Sequence, residues 1–84
     1  MYETILEEAD RLVMGDRRSQ YGDVREGFIS IADLWSAYLD CQVTVSDVAH
    51  MMMLLKISRN KHHLQRENLV DACGYARCLE LLME

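Results

Sequence analysis

The stretch VSDVAHMMMLLKISR, Val45–Arg59, decides the fold, because it is apolar on nearly every side of a helix. Thr44 and Asp47 form a capping pair before it, so this helix is expected to begin at Thr44 or Ser46. Asn60 is expected to end it. A helix that is apolar all round lies in the centre of a core or at a subunit interface. We therefore expect the other helices, or a second subunit, to pack around this one.

Three further segments have the 3.6-residue apolar period of amphipathic helices. They are expected at Tyr2–Met14, from just after Asp23 to near Asp40, and from about Arg66 to Met83. The first of these helices is expected to end at Gly15. The sequence thus predicts one all-α domain, residues 1–84, folded as a compact bundle of about four helices with antiparallel neighbours.

The composition favours self-association. Half of the 84 residues are hydrophobic, and six of them are methionines. A domain of this size buries a modest fraction of its surface, and one small helical core does not readily hide so much apolar surface. We expect a homo-oligomer, most simply a symmetric dimer; the alternative is a well-packed monomer.

Charge, cysteine content and hydropathy exclude several classes of protein. The net charge of −5 disfavours nucleic-acid binding. No segment approaches the length of a membrane span. Three cysteines without CxxC spacing indicate a reducing compartment, and we expect a cytoplasmic protein.

Two polar islands are the candidates for function. The first, GDRRSQYG at Gly15–Gly22, reads as a turn between helices, and the second is KISRNKHHLQRENLVDACGYA at Lys56–Ala76. The second opens with four basic residues in eleven positions without an acid: Lys56, Arg59, Lys61 and Arg66. Such a patch suits a compact anion such as phosphate, or alternatively it is a solvated helix end. If the islands converge, they form one small site.

Asp71 is the acidic residue that most needs an explanation, because Val70 and Ala72 flank it on an apolar helix. Burial of its carboxylate requires a partner, which the sequence leaves open as Lys56, Arg59, a divalent metal or backbone groups. Glu67 lies one helical turn earlier on the same face. The alternative to a ligand site is a buried ion pair.

The order GDR…YG, IADLWSAYL, VSDVAHMMMLLKISR and ENLVDACGYA resembles small phage-encoded proteins called MazG-like, from about Ile5 to Leu79. The resemblance implies an all-α oligomer in which carboxylates hold Mg²⁺ and a nucleoside triphosphate is hydrolysed to monophosphate and pyrophosphate. Those enzymes use an E-x-x-E pair on one helix and an E-x-x-D pair on another, and the acidic pairs of this chain do not reproduce both motifs on two central helices. The resemblance therefore supports the fold and a nucleotide-like ligand better than hydrolysis.

Three hypotheses follow. In the first, a pyrophosphohydrolase, Asp71 and Glu67 would be catalytic metal ligands, with Asp47 as a further candidate ligand. The phosphates would bind Arg17, Lys56 and Arg59. Tyr21 or Tyr75 would contact the base or sugar. A binding module would capture a nucleotide or another phosphate-bearing small molecule without cleaving it, and Arg17, Lys56 and Arg59 would matter more than metal. A helical interaction protein would have no small-molecule site.

Overall fold

The computed structural model describes residues 2–84, apart from the side chains of Arg18 and Tyr21, and no β-strand occurs in this range. The helices are α1 (Ile5–Arg11), α2 (Arg17–Tyr21), α3 (Val24–Leu39), α4 (Val45–His62) and α5 (Arg66–Leu82). A π-helical turn, Leu12–Asp16, joins α1 directly to α2. The predicted all-α fold with about four helices is confirmed, since α1, the π-turn and α2 form one continuous helical rod.

The predicted end of the first helix at Gly15 is wrong, and so is the interpretation of Gly15–Tyr21 as a turn. The Arg17 N–H donates to the Leu12 carbonyl oxygen, five residues back, so the helix widens by one residue instead of ending. An ion pair of 3.0 Å from Arg11 to Asp16 spans the widened turn. The rod ends at Gly22, whose φ of 82° is a left-handed conformation that glycine adopts without strain.

The other helix starts follow the sequence signals closely. Thr4 with Glu7, and Thr44 with Asp47, form complete capping boxes at the starts of α1 and α4. The Asp23 carboxylate accepts backbone N–H groups at the start of α3. Helix α4 continues past the predicted end at Asn60 to His62.

Helix α5 packs against both α4 and α1, and α3 packs mainly against α4. Two ion pairs tie α1 to α5, from Arg66 to Glu8 at 3.0 Å and from Arg77 to Asp10 at 2.7 Å. The core cluster is small and apolar, and it consists of Val13, Phe28, Ala32, Val48, Ala49 and Cys78. Within residues 2–84, no helix combines the length and hydropathy that crossing a membrane requires.

Candidate functional site

A cavity of about 550 Å³ lies between the first helical rod and helices α3, α4 and α5. Its walls are largely apolar, with side chains from every one of these elements: Ala9, Leu12, Val13, Val24, Phe28, Ile31, Val48, Met52, Val70 and Cys78. A few polar groups also reach it, among them Arg17, Asp23, Lys56 and Asp71. This combination of an apolar body and a small number of convergent polar groups is typical of small-molecule sites.

The ion pair between Lys56 of α4 and Asp71 of α5 forms part of the cavity wall. The Nζ–Oδ2 distance is 3.0 Å, and the two side chains are only 15% and 16% exposed. Of the partners that the sequence left open for Asp71, the structure therefore selects Lys56. Each charge of the pair compensates the other, and burying either charge without its partner would cost free energy.

Arg17 brings a second positive charge to the cavity. It is the first residue of α2, directly after the π-turn, and its side chain is exposed. Asp16 pairs with Arg11 instead, and among the side chains that the structure describes no carboxylate lies within ion-pair distance of Arg17. Its guanidinium donors therefore remain accessible to an anion that enters the cavity.

Aromatic rings form another part of the wall. Tyr75 of α5 is half-buried, and its ring centroid lies 6.5 Å from that of Phe28 of α3, with the planes tilted by 40°. A planar apolar group inside the cavity would contact these rings. Tyr21, predicted to contact a base or sugar, has a side chain that lies outside the described residues.

The structure brings Arg17, Lys56, Asp71 and Tyr75 into one cavity, but three other candidates lie outside its described lining. Arg59 is exposed in the last turn of α4, and Glu67 is exposed in the first turn of α5. The Asp47 carboxylate accepts the Thr44 backbone N–H at 2.9 Å, and this hydrogen bond lowers the pKa of Asp47. Asp47 thus has a structural function as a helix cap.

The carboxylates do not fit a magnesium site in this arrangement. Across the described part of the chain, no three His, Cys, Asp or Glu side chains come close enough together to hold a metal ion. Mg²⁺ requires several oxygen ligands in near-octahedral geometry, and the Asp71 carboxylate already neutralises Lys56. Magnesium binding by Asp71, Glu67 and Asp47 stays a prediction without geometric support.

Two lining residues were missed by sequence reasoning. Gly27, in the interior of α3, lines the cavity, and a Cβ atom built on it would meet nothing within 4 Å. Cys78 is 8% exposed, and burial raises the pKa of its thiol, an effect that the charges of Arg77 and Arg17 partly offset. A glycine inside an amphipathic helix was the available signal for Gly27, whereas Cys78 looked like an ordinary apolar residue.

The fold is that of a small all-helical protein, and its described residues enclose a mainly apolar cavity. The chain belongs to the family described as "Domain of unknown function (DUF6378)", whose model matches residues 4–83. No solved structure shows a significant match to it.

Two phage proteins are clear relatives. The "Gene 55 protein" of Mycobacterium phage D29 is 46% identical over 87 residues, which cover 100% of this chain and 56% of that protein. The "Gene 55 protein" of Mycobacterium phage L5 is 43% identical over 81 residues, covering 92% of this chain and 51% of that protein. The chain thus spans about half the length of these relatives. Their phage origin agrees with the predicted one, whereas the MazG-like relationship stays a prediction because none of these names states an activity.

Proposed function

We propose that this protein binds a nucleotide or a similar phosphate-bearing small molecule in the cavity. The observation that carries the proposal is that Arg17, the Lys56–Asp71 pair and Tyr75 line one cavity of about 550 Å³. This volume falls within the range of about 300–1,000 Å³ that is usual for small-molecule sites. The planar base would contact the Tyr75 and Phe28 rings, and the phosphate would bind Arg17.

The charges of the lining favour a ligand with few negative charges. Asp71 compensates Lys56 at 3.0 Å, so among the described lining residues Arg17 is the one that supplies a positive charge for a phosphate. A nucleoside monophosphate matches this balance better than a triphosphate, which carries more negative charge than the site can offset without metal. The same balance favours binding without cleavage over pyrophosphohydrolysis, since no three-carboxylate cluster occurs in the described residues.

A thermal-shift panel tests the proposal with nucleoside mono- and triphosphates, each in Mg²⁺ and in a chelator. A ligand at 100 times its Kd stabilises the native state by about 2.7 kcal/mol. For a domain of this size the melting temperature should therefore rise by roughly 10–20 °C. We expect the rise with a monophosphate, and we expect it to persist in the chelator.

Arg17→Ala is the decisive variant, with Arg59→Ala as its control. Both remove one exposed arginine, but only Arg17 lines the cavity. Loss of a charge-assisted hydrogen bond of about 1.5–3 kcal/mol should weaken binding roughly 10- to 100-fold in Arg17→Ala and leave Arg59→Ala unchanged. Equal binding by the two variants, or no shift with any nucleotide, would contradict the proposal. A Mg²⁺-dependent shift with release of pyrophosphate would favour the hydrolase instead.

A further inference from the structure

Helix α4 exposes a line of residues on the side away from the core. Five exposed residues follow one another along the helix at alternating spacings of four and three residues: Asp47, Met51, Leu54, Ser58 and Lys61. We call this line the outer stripe. It lies opposite the fully buried Val48 and Ala49. Leu54 at its centre is 62% exposed, and the neighbouring Leu55 and Ile57 are 40% and 49% exposed.

The molecule exposes more surface than a compact monomer of its size. Its accessible surface is 6187 Å², whereas a compact monomer of its mass exposes about 5,200 Å². The radius of gyration, 13.4 Å, also exceeds the value of about 12 Å for a compact chain of this length. The excess of about 1,000 Å² is comparable to the roughly 800 Å² that each partner buries in an interface of standard size.

We propose that the outer stripe binds the outer stripe of a second copy, with the two α4 helices antiparallel about a two-fold axis at Leu54. Asp47 lies seven residues before Leu54 and Lys61 seven residues after it. The antiparallel arrangement places Asp47 of each copy opposite Lys61 of the other, so both ends of the contact join opposite charges. A parallel arrangement would place like charges together at both ends. The two Leu54 side chains meet at the centre, as a two-fold interface requires.

Leu54→Lys tests the centre of the interface, and Leu34→Lys is the matched control. Leu34 of α3 is 67% exposed, so both variants replace an exposed helical leucine by lysine. By sedimentation equilibrium, we expect the wild type to dimerise. The dimer dissociation constant of Leu54→Lys should be at least about 100-fold higher, since each dimer loses two buried leucines. Leu34→Lys should dimerise like the wild type. A wild type that stays monomeric, or a larger effect of Leu34→Lys, overturns the proposal.

Mixing two charge variants tests the antiparallel arrangement. Asp47→Lys and Lys61→Glu each place like charges at both ends of their own dimer, and each should dimerise about tenfold more weakly than the wild type. In the mixed dimer both ends again join opposite charges. We therefore expect association to recover when the two variants are mixed. Because Asp47 also caps α4, helicity of each variant is checked by circular dichroism. Folded variants that do not recover on mixing overturn the antiparallel pairing.

Discussion

The Lys56–Asp71 pair is the residue-level feature on which the cavity most depends. Both side chains are about five-sixths covered, so each needs the other as a partner for its charge. The pair also joins α4 to α5 on the cavity wall, where Asp71 was predicted to act as a metal ligand. Because Lys56 occupies the Asp71 carboxylate at 3.0 Å, the structure favours a stabilising over a catalytic function for Asp71.

Asp71→Asn should therefore destabilise the protein. The substitution leaves the Lys56 ammonium in a mostly covered position without a charged partner, which should cost about 1–3 kcal/mol after allowance for its partial exposure. The double variant Lys56→Met with Asp71→Asn should lose less stability than the sum of the single losses, since it removes both charges. Urea unfolding of the four proteins measures this coupling.

Glu67→Gln is the control for this cycle. Glu67 lies one turn before Asp71 on the same helix but is exposed, so its replacement should cost less than about 1 kcal/mol. Equal stabilities of Asp71→Asn and the wild type would show that the ion pair contributes nothing to the fold.

At the scale of elements, local signals predicted helix starts better than helix ends. The cap residues Thr4, Asp23 and Thr44 act within one turn of their own position, so the sequence alone predicts them. Gly15 was misassigned because a glycine ends a helix only where the chain turns away. The Arg11–Asp16 pair and the π-turn keep the chain helical, and the turn comes at Gly22. Both contacts span five residues, and the 3.6-residue period of the apolar positions does not predict them.

Two glycines should respond in opposite ways to alanine. Gly27 lies inside α3 with nothing within 4 Å of its missing Cβ, so Gly27→Ala should stabilise the protein by about 1 kcal/mol through helix propensity. The melting temperature should rise by about 4–8 °C. Gly22 has a φ of 82°, and Gly22→Ala should destabilise by about 1 kcal/mol because a left-handed conformation strains alanine.

Calorimetry of the two glycine variants checks these signs, and nucleotide binding by Gly27→Ala adds a functional readout. Gly27 lines the cavity, so a methyl group there should take up part of its space, and the variant should gain stability and lose affinity for the ligand. A gain of both would show that the ligand does not occupy the space beside α3.

At the scale of the whole molecule, the fold has two notable features, an internal cavity and an exposed helix face. Inside is a cavity beside a small apolar core, and outside is the outer stripe of α4, on a particle of 46 × 30 × 21 Å. The sequence pointed to Arg17, Lys56 and Asp71, which line the cavity together, but it pointed equally to Arg59, Glu67 and Asp47, which lie outside the described lining. It did not predict the empty volume, which depends on how four helical rods pack and not on any one residue.

The thiols provide a test of the cavity as a whole. Cys41 is exposed, whereas Cys78 lines the cavity, is 8% exposed and has a pKa raised by burial. An alkylating reagent should therefore modify Cys41 at least about tenfold faster, because the thiolate is the reactive form. A nucleotide in the cavity should slow the reaction of Cys78 further and leave that of Cys41 unchanged, as measured by mass spectrometry of the peptides. Protection of both thiols, or of neither, would place the ligand elsewhere, since only Cys78 shares a wall with Arg17 and Tyr75.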